Sequence, residues 1–144
     1  MASRFLDSKT SQNASFANSI AIPITLINTP QLVAQQTLDL SGGTANLTRV
    51  EFNGVVTVQL PLLPLATNIL VTVVRGLTSA DTVVFSASQN LNLNILGGQL
   101  ISFSGSDFNA FNIPNAAYSV FVQSSALGTI RVGPESFNFT AYSD

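Results

Sequence analysis

Residues 47–60 read Leu47-Thr48-Arg49-Val50-Glu51-Phe52-Asn53-Gly54-Val55-Val56-Thr57-Val58-Gln59-Leu60. Two apolar, β-branched runs, residues 47–52 and 55–60, flank Asn53-Gly54. In a strand, side chains two apart share a face, so each run can bury one side. An Asn-Gly pair supplies the positive φ angles that a two-residue hairpin turn needs. The stretch predicts two strands joined as a hairpin at Asn53-Gly54. Pro61 and Pro64 follow and force a loop, because proline cannot donate to a ladder.

The same reading extends in both directions. Upstream, residues 20–27 are apolar and β-branched, and Pro23 confines that run to a sheet edge or a bulge. Residues 32–40 put Leu32, Ala34, Leu38 and Leu40 on one face, and Ser41-Gly42-Gly43 ends the run. Downstream, Ile69, Val71 and Val73 share a face, as do Val83, Phe85 and Ala87. Gly97-Gly98 precedes a run at 100–103. Tyr118, Val120 and Val122 alternate with Ser119, Phe121 and Gln123. A short run covers 128–132, and Phe137, Phe139 and Ala141 alternate with Asn138 and Thr140. Turn clusters recur at roughly 8–12-residue intervals. No apolar pattern of helical period is sustained, and no internal repeat is visible. The expectation is an all-β jelly-roll sandwich of about 8–10 antiparallel strands with an extended N-terminal tail.

Composition narrows the function. The chain has 144 residues, the size of one domain. Hydrophobic residues make up 46% and charged residues 8%, against about 25% charged in an ordinary soluble domain. Ser, Thr, Asn and Gln supply the missing polarity, and they enter an interface without the desolvation penalty of an ion. That balance suits a protein much of whose surface is covered by neighbouring subunits.

The five basic residues, Arg4, Lys9, Arg49, Arg75 and Arg131, are scattered. They form no basic stripe that would neutralise phosphates, which argues against nucleic acid as a partner. No apolar stretch reaches the ~20 residues of a membrane helix, so no membrane partner is expected. Nor does the N-terminus carry the continuous apolar core of a secretory signal.

The chain has no histidine and no cysteine. The commonest general acid–base group, most transition-metal sites and thiol nucleophiles are therefore ruled out. The acids within the domain, Asp39, Glu51, Asp81, Asp107 and Glu135, are dispersed. Arg49 and Glu51, two apart on a strand, are expected to satisfy each other, while turn chemistry accounts for Asp81 and Asp107. Neither Gly-Gly pair leads into a helix or a Lys-Ser/Thr pair, so neither is a phosphate loop. No catalytic residue, metal site or cofactor is expected, and the chain reads as a non-enzyme.

Residues 1–19 are polar, with isolated Phe5, Leu6 and Phe16, and Ile20 follows. They read as a connector tail ahead of a domain at residues 20–144. Such a segment needs something to order it, and adding a strand to a neighbour's exposed edge would do so. Phe5, Leu6, Phe16 and Ile20 are the expected anchors of this axial subunit contact. A tail that enters the next subunit makes a head-to-tail contact, which grows into an open filament when it does not close. In the loop at 106–115, Phe108, Phe111, Ile113 and Pro114 read as a cover over the sandwich end or a subunit contact; sugar or lipid binding is the other reading.

Five passages carry a family resemblance. They are Pro30-Gln31-Leu32-Val33, Leu38-Asp39-Leu40-Ser41, Val50-Glu51-Phe52-Asn53-Gly54-Val55-Val56-Thr57-Val58, Leu70-Val71-Thr72-Val73-Val74-Arg75-Gly76 and Ser136-Phe137-Asn138-Phe139-Thr140-Ala141-Tyr142. Across residues 20–144 the chain resembles the jelly-roll domains of the exosporium collagen-like glycoproteins of endospore-forming bacilli. Those domains are similar to the tumour-necrosis-factor and complement globular-head (TNF-like) fold. The resemblance implies a compact homotrimer and no cofactor. The collagen Gly-X-Y stalk is missing and the N-terminus is short. In this the chain is similar to the major subunits of thin endospore appendage fibres, in which trimers stack through N-terminal connectors. The implied setting is the spore surface, as an exosporium appendage. The implied partners are copies of the chain, first as a homotrimer and then as a filament, with an exosporium anchoring protein and a tip protein. Two further readings stay open: the globular head or binding module of a spore-surface or viral fibre, with sugars as its candidate ligands, and a viral capsid or decoration protein.

Overall fold

The computed structural model describes residues 2–144. Ten strands and no helix are found among them: β1 (Arg4–Ala14), β2 (Ile22–Pro23), β3 (Gln31–Leu38), β4 (Thr48–Gln59), β5 (Asn68–Arg75), β6 (Thr82–Asn90), β7 (Gln99–Asp107), β8 (Ala116–Ser124), β9 (Ile130–Arg131) and β10 (Glu135–Ser143). The pairing is nested. β5 pairs with β6, β4 with β7, β3 with β8 and β1 with β10, all antiparallel. The chain is thus one long hairpin, folded over so that β10 also pairs with β4 and β8 with β5. The result is two facing sheets, β1-β10-β4-β7 and β3-β8-β5-β6, with β2 and β9 extending the first. This is the all-β jelly roll expected from the sequence.

The Asn53-Gly54 hairpin does not form. β4 runs straight through it, between β10 on one side and β7 on the other. Gly54 lies opposite Phe137 and Phe103, in the inward-facing row. A Cβ there would come within 2.6 Å of the Phe137 ring and 2.8 Å of the Phe103 ring. The missing side chain is room for two aromatic rings, whose centroids stand 6.3 Å apart over it. The next inward row repeats the device, with Gly105 beside Phe52 and the Phe85 ring of the facing sheet above it. Each of these two rows across β10, β4 and β7 holds two phenylalanines and one glycine, so rings fill the core without overpacking. Phe137 and Phe139 are fully buried there. Each is worth about 1.5–3 kcal/mol of transfer free energy.

Two bulges change other expectations. A register shift between Leu32 and Ala34 turns Leu32 to the outer face, opposite Phe121, and buries Val33 together with Ala34. A second shift, between Val73 and Val74, pairs Val74 with Val83 and leaves Val83 exposed. Pro23 does sit on an edge, in two-residue β2.

The segment read as a tail forms a strand of the sandwich. Residues 4–14 pair with β10 of the same chain along its length. Asp7, Lys9 and Ser11 lie opposite the buried Ala141, Phe139 and Phe137. Asp7 Oδ2 accepts the Asp39 N–H at 2.8 Å, and the Thr10 carbonyl accepts from Gln36 Nε2 at 3.1 Å. Polar residues suit a strand that closes the open side of the sandwich against β3.

Candidate assembly surfaces

The two ends of the sandwich differ in charge. At one end lie residues 39–47, 76–81 and 108–115, with Arg4 and Asp144. There Arg49 Nε donates to Glu51 at 3.0 Å, the pair expected from their spacing. The Asp81 carboxylate accepts from the Leu77 and Thr78 N–H groups and the Thr78 hydroxyl, which holds its pKa below the usual range.

Asp107 departs from expectation. It is the buried last residue of β7 and bolts the two sheets together. Arg75 donates to both of its oxygens at 2.7 Å, and the Tyr118 hydroxyl donates at 2.6 Å. Burial pushes its carboxyl up, but the hydrogen bonds from Arg75, Tyr118 and the Asn109 N–H, with the Arg75 charge, outweigh that and hold it below the usual range. Burial, then the bond to Asp107, pushes the Tyr118 phenol up. Turn chemistry, through the Asn109 N–H, is a minor part of its role.

Phe111 stacks on this bolt, with the Arg75 guanidinium carbon 4.8 Å from its ring centroid. Beside it opens a cleft of about 230 Å³ walled by Gly76, Phe111, Ile113, Ala116 and Ala117. The aromatic loop at 106–115 therefore shapes one wall of a concavity.

The other end carries loops at 15–30, 60–67, 91–98 and 125–130, none of which contains a charged residue. Its single ion pair is internal. Arg131 Nε donates to Glu135 Oε2 at 2.6 Å, Asn13 Nδ2 donates to Glu135 Oε1 at 2.8 Å, and both charged groups are buried. Apolar side chains stand out of these loops: Leu62 and Leu63 are each 91% exposed, Leu96 82% and Phe16 75%. Apolar side chains this exposed, on loops without charge, make this end a candidate interaction surface.

The outer face of the β1-β10-β4-β7 sheet is different again. Thr10 Oγ1 donates to Asn138 and Asn138 Nδ2 donates to Asn53, both at 3.0 Å, with Ser104 next in the row. Hydroxyls and amides tile this face.

The four expected anchors are not brought together. Phe5 is exposed at the charged end and packs edge-on against Tyr142, with Leu6 half-buried beside it. Phe16 and Ile20 lie at the uncharged end, where the Ile20 N–H donates to the Val132 carbonyl. Strand β1 separates the two pairs by 11 residues, or roughly 35 Å. Sequence reasoning passed over Leu62 and Leu63 as part of a proline-broken loop. The available signal was two leucines between prolines in a region without charge.

Among the described residues no three acidic, histidine or cysteine side chains cluster as a metal site. No family model matches the chain, and no curated protein matches it. Solved structures do. T=1 particles derived from infectious bursal virus superpose with a TM-score of 0.55 at 12% identity, over 98% of this chain and 36% of theirs. The VP2 subviral particle of infectious bursal disease virus gives 0.53 at 12%, over 98% and 32%. Dimeric latent PorU from Porphyromonas gingivalis gives 0.52 at 11%, over 97% and 13%. This chain spans about a third of the viral proteins it matches. At these identities the likeness is one of fold, and the chain shares its two-sheet sandwich with one domain's length of each of these larger proteins.

Proposed function

We propose that the chain is a structural subunit that assembles with copies of itself, and that its setting is a fibre on the surface of an endospore. The observation that carries self-assembly is the uncharged end, where exposed leucines and a phenylalanine stand without any ion to keep them in water. A free monomer relies on mixed surface charge for solubility; a subunit covered by its neighbour does not. In the fibre, homotrimers stack head to tail. Phe16, backed by Ile20, leaves one subunit at its uncharged end and meets Phe5 and Leu6 at the charged end of the next. An exosporium anchor and a tip protein complete the appendage. The spore setting rests on the sequence resemblance alone.

A closed particle is the second reading, favoured by the fold shared with a viral protein that forms T=1 particles. Negative-stain electron microscopy of the purified chain separates the readings. Filaments are expected; closed shells support the particle, and dispersed monomers at all concentrations overturn assembly. Immunogold labelling of spores tests the setting: label along surface appendages supports it, and unlabelled spores overturn it.

A further inference from the structure

We propose that the Pro61–Pro64 loop is a prong that enters the cleft beside Phe111 on the next copy of this chain. The inference rests on the self-assembly reading and names the surfaces that make the contact.

The prong is held at both ends. Proline fixes φ at positions 61 and 64, and Leu63, before a proline, is kept extended. The Pro61 ring packs against the backbone of Gly128 in the neighbouring loop. On the return side, Thr67 Oγ1 donates to the Leu65 carbonyl at 2.8 Å. Leu62 and Leu63, between these fixed points, are 91% exposed. Presenting two leucines on a rigid loop spends little conformational entropy on docking.

A projecting prong needs a concavity, and the opposite end of the sandwich has one. The cleft's volume is about 230 Å³, while an apolar cavity of about 150 Å³ holds benzene, so it admits the four carbons of a leucine side chain. Its walls are mainly apolar, the Phe111 ring, Ile113, Ala116 and Ala117, with Gly76, Asn115 and Tyr118. The one charge on its rim, Arg75, is already spanned by both oxygens of Asp107 and stacked under Phe111. A leucine can therefore displace water there without stranding an ion.

Other occupants fit less well. The cleft next to the prong on its own end mixes Ala66, Leu91 and Leu93 with Thr67, Asn68, Asn90 and Ser125, so a leucine seated there would cover several amides and hydroxyls along with apolar wall. Two copies meeting through that end would set projecting loops against each other. For a lipid surface, these loops carry no Lys, Arg, Trp or Tyr to engage headgroups or the interface. Prong and cleft lie at opposite ends, so the contact is heterologous and propagates.

Complementation of two assembly-dead variants tests this. Leu62→Asp with Leu63→Asp removes the prong, and Phe111→Lys places a charge in the cleft; Ala117→Trp fills the cleft as a second variant. All altered residues are exposed or half-exposed, and circular dichroism checks the fold. Each variant alone is expected to need at least about 100-fold more protein to polymerise, the effect of losing two hot-spot leucines or of closing the cleft that receives them. A 1:1 mixture of prong and cleft variants retains one intact contact. It should double the particle mass in analytical ultracentrifugation and stop there. Variants that polymerise like wild type overturn the contact while leaving self-assembly standing. A mixture that does not double in mass overturns the heterologous geometry. Wild-type protein that stays monomeric overturns the assembly reading and this contact with it. If that monomer floats with phosphatidylcholine vesicles and the Leu62→Asp, Leu63→Asp variant does not, the end binds lipid instead.

Discussion

Gly54 shows how one residue can serve two opposite purposes. In the Asn-Gly context it signals a turn, yet here its value is the absence of a Cβ beneath two phenylalanine rings. Gly54→Ala should therefore lower stability by about 1–3 kcal/mol, the range for overpacking a tight core, measured by urea unfolding. A second prediction concerns Asp107. Its carboxyl binds protons more weakly in the folded chain than in the unfolded one. Its contribution is thus fully present above the unfolded value of about 3.9 and is lost as pH falls through the lower folded value. Asp107→Asn should destabilise at neutral pH by about 3 kcal/mol, the low end for breaking a buried pair, because Arg75 is left half-buried without its counter-charge. It should also flatten the acid limb of stability below about pH 4. An acid limb identical to wild type would show that Asp107 does not carry it.

Among the elements, β1 departs most from its sequence pattern. Period-two alternation reported β5, β8 and β10 correctly because one face of each is wholly apolar: Ile69, Val71 and Val73; Tyr118, Val120 and Val122; Phe137, Phe139 and Ala141 are all buried. β1 has no such face. Its inward positions meet the sandwich edge, where Asp7 and Ser11 are only half-buried, so no apolar signal was required of them. The bulges at Val33 and Val84 were equally invisible, since one extra residue reverses a face without altering composition. The assembly surfaces were half legible: the lack of charge showed in the composition, but its gathering at one end needed the topology. Deleting residues 1–14 should leave one edge of β10 unpaired along its whole length, with β4 still on the other, and lower the thermal midpoint by more than about 10 °C, a loss of several kcal/mol. Differential scanning calorimetry checks this. An unchanged midpoint would mean that β1 adds nothing to the single chain and is free to act as a tail.

At the scale of the whole molecule, the loops at one end of the sandwich carry charge and those at the other carry none. Contacts made through the uncharged end should respond to solvent as hydrophobic burial does. Polymer mass, followed by light scattering, should be nearly independent of sodium chloride between 50 mM and 1 M, rise with sulfate and fall on cooling toward 4 °C. Dissolution by sodium chloride would point to ion pairs across the contact instead. The nested pairing also sets an order in time. On the ribosome β5 and β6 emerge close together and can close early, whereas β1 must wait for β10, the last of these ten strands to be made. Folding should proceed from the middle of the sequence outward, at the slow rate of a topology built on distant pairings. Until synthesis reaches Ser143, β1 is an unpaired strand in a chain with few charges, so a nascent-chain chaperone acting on its first fourteen residues would raise the yield of soluble subunit.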